Sequence, residues 1–216
     1  ELRNTDYNQF RDKMRRGKAQ IYWWGWTPDY PDAENYLFLL TGAQSMARFD
    51  GNNAANYQDD FVFAWQRIAG ANPMVLRALT RLPEHYRFDA TAFRGAARKH
   101  YGVSYDGPSF EAALAAGRLF VADYSLLADV PNGSWLGVPQ YLFAPIALFC
   151  WFPPVGRFPA RLMPVGIQET QAGDARVVDP SQPAEWILAK TAVQVADLVW
   201  HEARAHLGLT HLVMEG

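Results

Sequence analysis

The sequence predicts a mainly α fold with short β-strands, built round one long central helix and preceded by a short α/β segment at the N-terminus. Three observations predict it. From Pro183 to Glu215 there is no proline after the first residue, and Ala, Leu, Val and Trp fall on nearly every face. Such a stretch reads as one helix of roughly 50 Å at about 1.5 Å per residue, apolar enough to lie at the centre of something larger. Apolar runs at Tyr141–Trp151 and Arg161–Gln168, separated by Pro and Gly, read as buried strands. Hydrophobic residues make up 50% of the 216 and aromatic ones 14%, a core-forming composition and not that of a disordered chain.

The elements follow in order. Residues 2–16 are polar with sparse apolar positions and fit an amphipathic helix ending at Gly17. Ala19–Trp26 reads as a strand, and Tyr36–Leu40 as a short helix entered through the acidic turn Asp32–Asn35. An Asn- and Gly-rich loop at Asp50–Asn56 separates these from a more apolar helix at Phe61–Gly70. Asn72-Pro73 restarts a segment at Met74–Leu79, closed by Pro83. Ser109 and Ala112–Ala116 predict a further helix capped by Gly117, leading into a strand at Arg118–Ala122. Gly173-Asp174 marks a turn, and Glu185 stands in the first turn of the long helix, with Gly208 its weak point.

Charge narrows the function classes. With 20 basic and 22 acidic residues, a net charge of -2 offers no long-range attraction to a polyanion, which argues against a nucleic-acid partner. Cys150 is single, so there is no internal disulfide framework, and the redox compartment and localisation are left open. Gly133–Gly156 is uncharged and long enough to span a bilayer. Pro139, Pro145, Pro153 and Pro154 break it, so we read short strands and loops and no transmembrane span. Glu1 opens the sequence without methionine or a basic-then-apolar leader, which places the start after processing or, as we favour, inside a longer reading frame.

Three of the five histidines, His201, His206 and His211, recur at intervals of five on the long helix. Clustered imidazoles are common transition-metal ligands, although a histidine in apolar surroundings is often only a hydrogen-bonded core residue. Five residues of regular α-helix turn by about 500°, leaving the rings about 140° apart. A local π-helix, with i→i+5 bonding, brings His201 and His206 back to one face. The metal reading therefore demands a departure from α geometry.

Trp186-Ile187-Leu188-Ala189-Lys190, then Val193, Val195 and Asp197, then His201-x4-His206-x4-His211 and Glu215, resemble the iron-binding helix of lipoxygenases. Ala69-Gly70-Ala71-Asn72-Pro73, Arg118–Tyr124, Ala144–Phe149 and Leu162–Gln168 are similar to further segments of that family, in its order. The resemblance covers about residues 59–216 and implies a partial lipoxygenase-like helical catalytic domain. It implies non-haem iron held by His201 and His206, with His211 near the metal without binding it. It also implies an oxidoreductase that inserts O2 into polyunsaturated fatty acids at a doubly allylic methylene. The family's remaining ligands, a third histidine, an asparagine-like residue and a terminal isoleucine carboxylate, lie downstream of this helix. The sequence ends at Gly216, so we expect an incomplete enzyme.

Residues 1–58 carry a different resemblance. Gly25-Trp26-Thr27-Pro28-Asp29-Tyr30-Pro31-Asp32-Ala33-Glu34-Asn35, with Asn53–Tyr57, is similar to a segment of periplasmic peptide-binding proteins that serve ABC importers. It implies a peptide ligand only if that segment is functional. A composite chain follows, by fusion or misjoining, with a seam near Tyr57 to Asp60 and few contacts across it. The rival functions are therefore a peptide-binding module and a non-functional composite.

Overall fold

The structure is a computed structural model and describes residues 6–16, 60–70, 72–102, 105 and 107–214. The chain divides into two units, Glu1–Val62 and Phe63–Gly216. Helix α1 (Tyr7–Arg15) lies in the first. The Asp6 carboxylate caps it by accepting from the Gln9 N–H at 3.0 Å, and Lys13 and Arg15 complement the negative end of its dipole. The strand expected at 19–26, the helix at 36–40, the stretch resembling peptide-binding proteins and residues 57–59 of the expected seam lie outside the described residues.

The larger unit is mixed α and β, so the expectation of a mainly α fold holds only roughly. Its core is a five-stranded antiparallel sheet in the order β1 (Leu76–Ala78), β2 (Leu119–Asp123), β5 (Ile146–Phe152), β6 (Arg161–Gln168), β7 (Val177–Val178), while β3 (Ser134–Trp135) and β4 (Val138–Pro139) form a separate hairpin. Strands β5 and β6 are buried along nearly their whole length, which explains why they read as continuous apolar runs and not as alternating ones. Pro164 is tolerated inside β6 because the ladder slips there: Phe149 pairs with Pro164 and Leu148 with Gly166, leaving Val165 as the extra residue of a bulge. The expected strand at Tyr141–Trp151 starts only at Ile146, just after Pro145. Cys150 is buried within β5, and no described helix is long and apolar enough to cross a membrane.

Helices cover the sheet. Among the described residues they are α2 (Asp60–Ala69), α3 (Ala90–Tyr101), α4 (Phe110–Ala115) and α5 (Pro183–Trp200). The sequence reading lacked α3. Asp89 caps it, accepting from the N–H groups of Thr91 and Ala92, and the buried stripe Ala92, Phe93, Ala96, Ala97, Tyr101 packs on β6. Ser109 caps α4, and Gly117 ends it at φ 65°, a conformation that favours glycine. The Met74–Leu79 segment divides into a 3-10 turn over Pro73–Val75 and strand β1.

Helix α5 starts with Pro183 as its first residue and buries Trp186, Ala189, Lys190, Ala192, Val193, Ala196 and Asp197, while Leu188 and Leu198 face outward. The Lys190 ammonium lies 5.8 Å from the Phe63 ring centroid and 5.9 Å from that of Trp186. From His201 the helix continues without a break as a π-helix through Met214. The departure from α geometry that the metal reading demanded is therefore present.

Candidate functional site

The site begins where α2 stops. A Cβ on Gly70 would lie 2.2 Å from the Gln66 carbonyl oxygen, so only glycine closes this turn. Pro73 disfavours the helical conformation for the residue before it and opens the 3-10 turn, so Asn72 stands between the two, buried. Its side-chain amide donates to the Asp197 carbonyl at 2.7 Å, and its Oδ1 lies 3.0 Å from His201 Nδ1. A carbonyl can only accept, so the Asn72 NH2 must face Asp197 and Oδ1 must face the imidazole. His201 thereby carries a proton on Nδ1, and its neutral ring is held as the Nδ1–H tautomer.

One turn earlier, α5 is held by buried charge. The Tyr124 hydroxyl donates to Asp197 Oδ1 at 2.8 Å and accepts from Arg67 Nη1 at 3.2 Å, while Arg67 and Asp197 approach to 3.6 Å. Arg67 also donates to Gln194, whose amide donates to Gln66 Oε1 at 2.7 Å. Burial, ahead of both charged neighbours, raises the Tyr124 phenol well above its ordinary range, so it acts as a neutral donor. A cavity of about 240 Å³ lies beside this network, bordered by Arg67, Gln194, Asp197 and His201.

The three histidines share one face of the π-helix but do not meet equally. The rings of His201 and His206 stack nearly parallel at 23°, with centroids 6.2 Å apart. Those of His206 and His211 are 4.8 Å apart, and their Nε2 atoms approach to 3.0 Å. Glu202 Oε2 lies 3.0 Å from His206 Nδ1, an i,i+4 contact at a half-exposed pair. That hydrogen bond is the main reason the Glu202 carboxyl is held below its ordinary range. An ionised carboxylate only accepts, so His206 donates from Nδ1, and in the neutral ring it is the Nε2 lone pair that faces His211.

This arrangement fits a transition metal. Two imidazole nitrogens each about 2.1 Å from one ion, at a right angle to each other, lie about 3.0 Å apart. The same separation also suits an N–H···N hydrogen bond from His211 to His206. Among the described residues no group of three or more His, Cys, Asp or Glu side chains converges as a metal cage. The expected pair, His201 with His206, stacks instead of converging. Sequence reasoning missed two participants, the positioning contact of Asn72 and the Glu202 partner of His206; a Glu four residues before a His was the legible signal for the second.

No protein-family model matches the chain. The linoleate 9/13-lipoxygenase of Pseudomonas aeruginosa is 35% identical over 173 residues, which are 75% of this chain and 24% of that protein. The polyunsaturated fatty acid lipoxygenase ALOX15B of Rattus norvegicus is 36% identical over 164 residues, 74% and 23% of the two chains. In fold, a calcium-dependent 11R-lipoxygenase matches with a TM-score of 0.65 at 24% identity, covering 94% of this chain and 28% of its own. A manganese lipoxygenase matches with a TM-score of 0.54 at 26% identity, covering 69% and 24%. Lipoxygenase homologues thus cover about three quarters of this chain, which spans about a quarter of their length.

Proposed function

We propose that residues 59–216 are the metal-helix portion of a non-haem iron lipoxygenase acting on polyunsaturated fatty acids and O2, with His206 and His211 as the metal ligands this portion supplies. The observation that carries the ligand assignment is the 3.0 Å separation of their Nε2 atoms, together with the Glu202 contact that favours the Nδ1–H tautomer of a neutral His206 ring. Relatives named for linoleate and polyunsaturated fatty acids support the substrate class. When bound, the metal supplies the one-electron chemistry by which a hydrogen atom leaves a doubly allylic carbon before O2 adds. The residues here do simpler work. His206 and His211 offer neutral nitrogen donors, Glu202 fixes a tautomer, and the Arg67–Asp197–Tyr124 network fixes the helix that carries them.

His201 paired with His206, the assignment the resemblance implied, is the alternative. Oxygen uptake on linoleate tests the function, measured with the chain extended to its natural terminus. We expect uptake that His206→Ala and His211→Ala both abolish. Full uptake by either variant overturns the assignment. Metal analysis of the same preparations decides between iron and manganese, since a manganese enzyme is among the structural neighbours.

A further inference from the structure

Asn72 makes two hydrogen bonds to residues more than a hundred positions away, and both fall where α5 changes into the π-helix. The Asp197 carbonyl already accepts from the His201 backbone N–H, and the Asn72 amide donates to it from outside the helix. The ring of His201, first residue of the π segment, is gripped by the other end of the same amide. One buried side chain thus ties a carbonyl in the last turn of α5 to the first side chain of the π segment.

We propose that Asn72 is a positioning residue that sets the α-to-π change and, through it, the face on which His206 and His211 project. The inference rests on the ligand reading above. Without the change, each five-residue step would turn the rings about 140° apart. With it, His206 and His211 stand in register above His201. Gly70 and Pro73 fit this role, because one allows the tight turn and the other fixes the backbone that presents the amide.

The test uses the full chain with 15N-labelled histidine, at a pH well above the imidazole range. Long-range proton–nitrogen correlation distinguishes Nδ1–H from Nε2–H tautomers. The wild type should show His201 as Nδ1–H. Asn72→Ala should move it to the Nε2–H form that solvent favours and weaken Co2+ binding, read by titration, about tenfold or more. Asn72→Asp keeps an acceptor for His201 but no donor for Asp197, so it should retain Nδ1–H while binding Co2+ more weakly than the wild type. A folded Asn72→Ala chain that keeps the Nδ1–H tautomer, or binds Co2+ like the wild type, overturns the proposal. If Asn72→Ala does not fold, Asn72→Asp decides: Nε2–H at His201 in that variant overturns it as well. Unchanged Co2+ binding in His206→Ala and His211→Ala would instead reject the ligand reading and leave the tautomer result standing.

Discussion

His206 Nε2 lies 3.0 Å from His211 Nε2, and Glu202 faces the opposite nitrogen of the His206 ring at 3.0 Å. Removing the carboxylate frees His206 to adopt either tautomer, so part of the population presents Nε2–H instead of a lone pair. Glu202→Ala should therefore weaken metal binding by about tenfold, the low end for such partners because the pair is solvated. Titration with Co2+, followed by its visible absorption, checks this.

The Arg67–Asp197 pair anchors the last turn of α5, just before the π-helix, with Arg67 almost wholly buried. Breaking it strands one charge. Asp197→Ala and Arg67→Ala should each destabilise the chain by about 3–5 kcal/mol, while the double variant should lose clearly less than their sum. Urea melts of the three variants measure the coupling, and additive losses would show that the pair carries none.

Cys150 is buried in β5, and burial pushes its thiol up to about 12 from 9.0. The folded thiol keeps its proton when the unfolded one has lost it, so stability falls as pH rises from about 9 towards 12. Near neutral pH it should resist iodoacetamide until the chain opens. Labelling at the rate of unfolding is the expected outcome, and rapid labelling of the folded chain would contradict the burial.

His100, at the end of α3, has its pKa lowered from 6.5, chiefly by burial, although the Pro159 carbonyl it contacts acts the other way. The unfolded chain therefore takes up this proton first, and stability is lost as pH falls below 6.5. His100→Gln should flatten that acid limb. Thermal melts across the range, compared with the wild type, measure it.

Much of the fold was legible because local chemistry and tertiary structure agree. Ser109 and Gly117 bracket α4, the apolar run Arg161–Gln168 is β6 to the residue, and Pro183 starts α5. Helix α3 was missed because its buried stripe is mostly alanine, which signals a helix without signalling a core face. Strand β5 was drawn too long because Tyr141–Ala144 is as apolar as the strand, while Pro145 ends the ladder. The burial of both strands was legible in their apolar runs, while the five-stranded sheet they anchor depends on pairing with β7 and with β1 and β2, which are distant in sequence.

The three histidines and the need for a π-helix were also legible, since the i,i+5 spacing leaves no other way to share a face. Which two bring their ring nitrogens closest was not. Both pairs have identical spacing, and the difference lies in partners: Asn72, distant in sequence, takes His201, whereas Glu202 turns His206 towards His211. Only the folded chain brings Asn72 to that ring.

The central claim is that His206 and His211, not His201 and His206, hold the metal. The most direct measurement is metal stoichiometry of the chain extended to its natural terminus, by mass spectrometry of the purified wild type and the three single alanine variants. The account predicts bound metal in the wild type and in His201→Ala, at reduced affinity, and none in His206→Ala or His211→Ala. Stoichiometric metal in His211→Ala, with loss in His201→Ala, would contradict it.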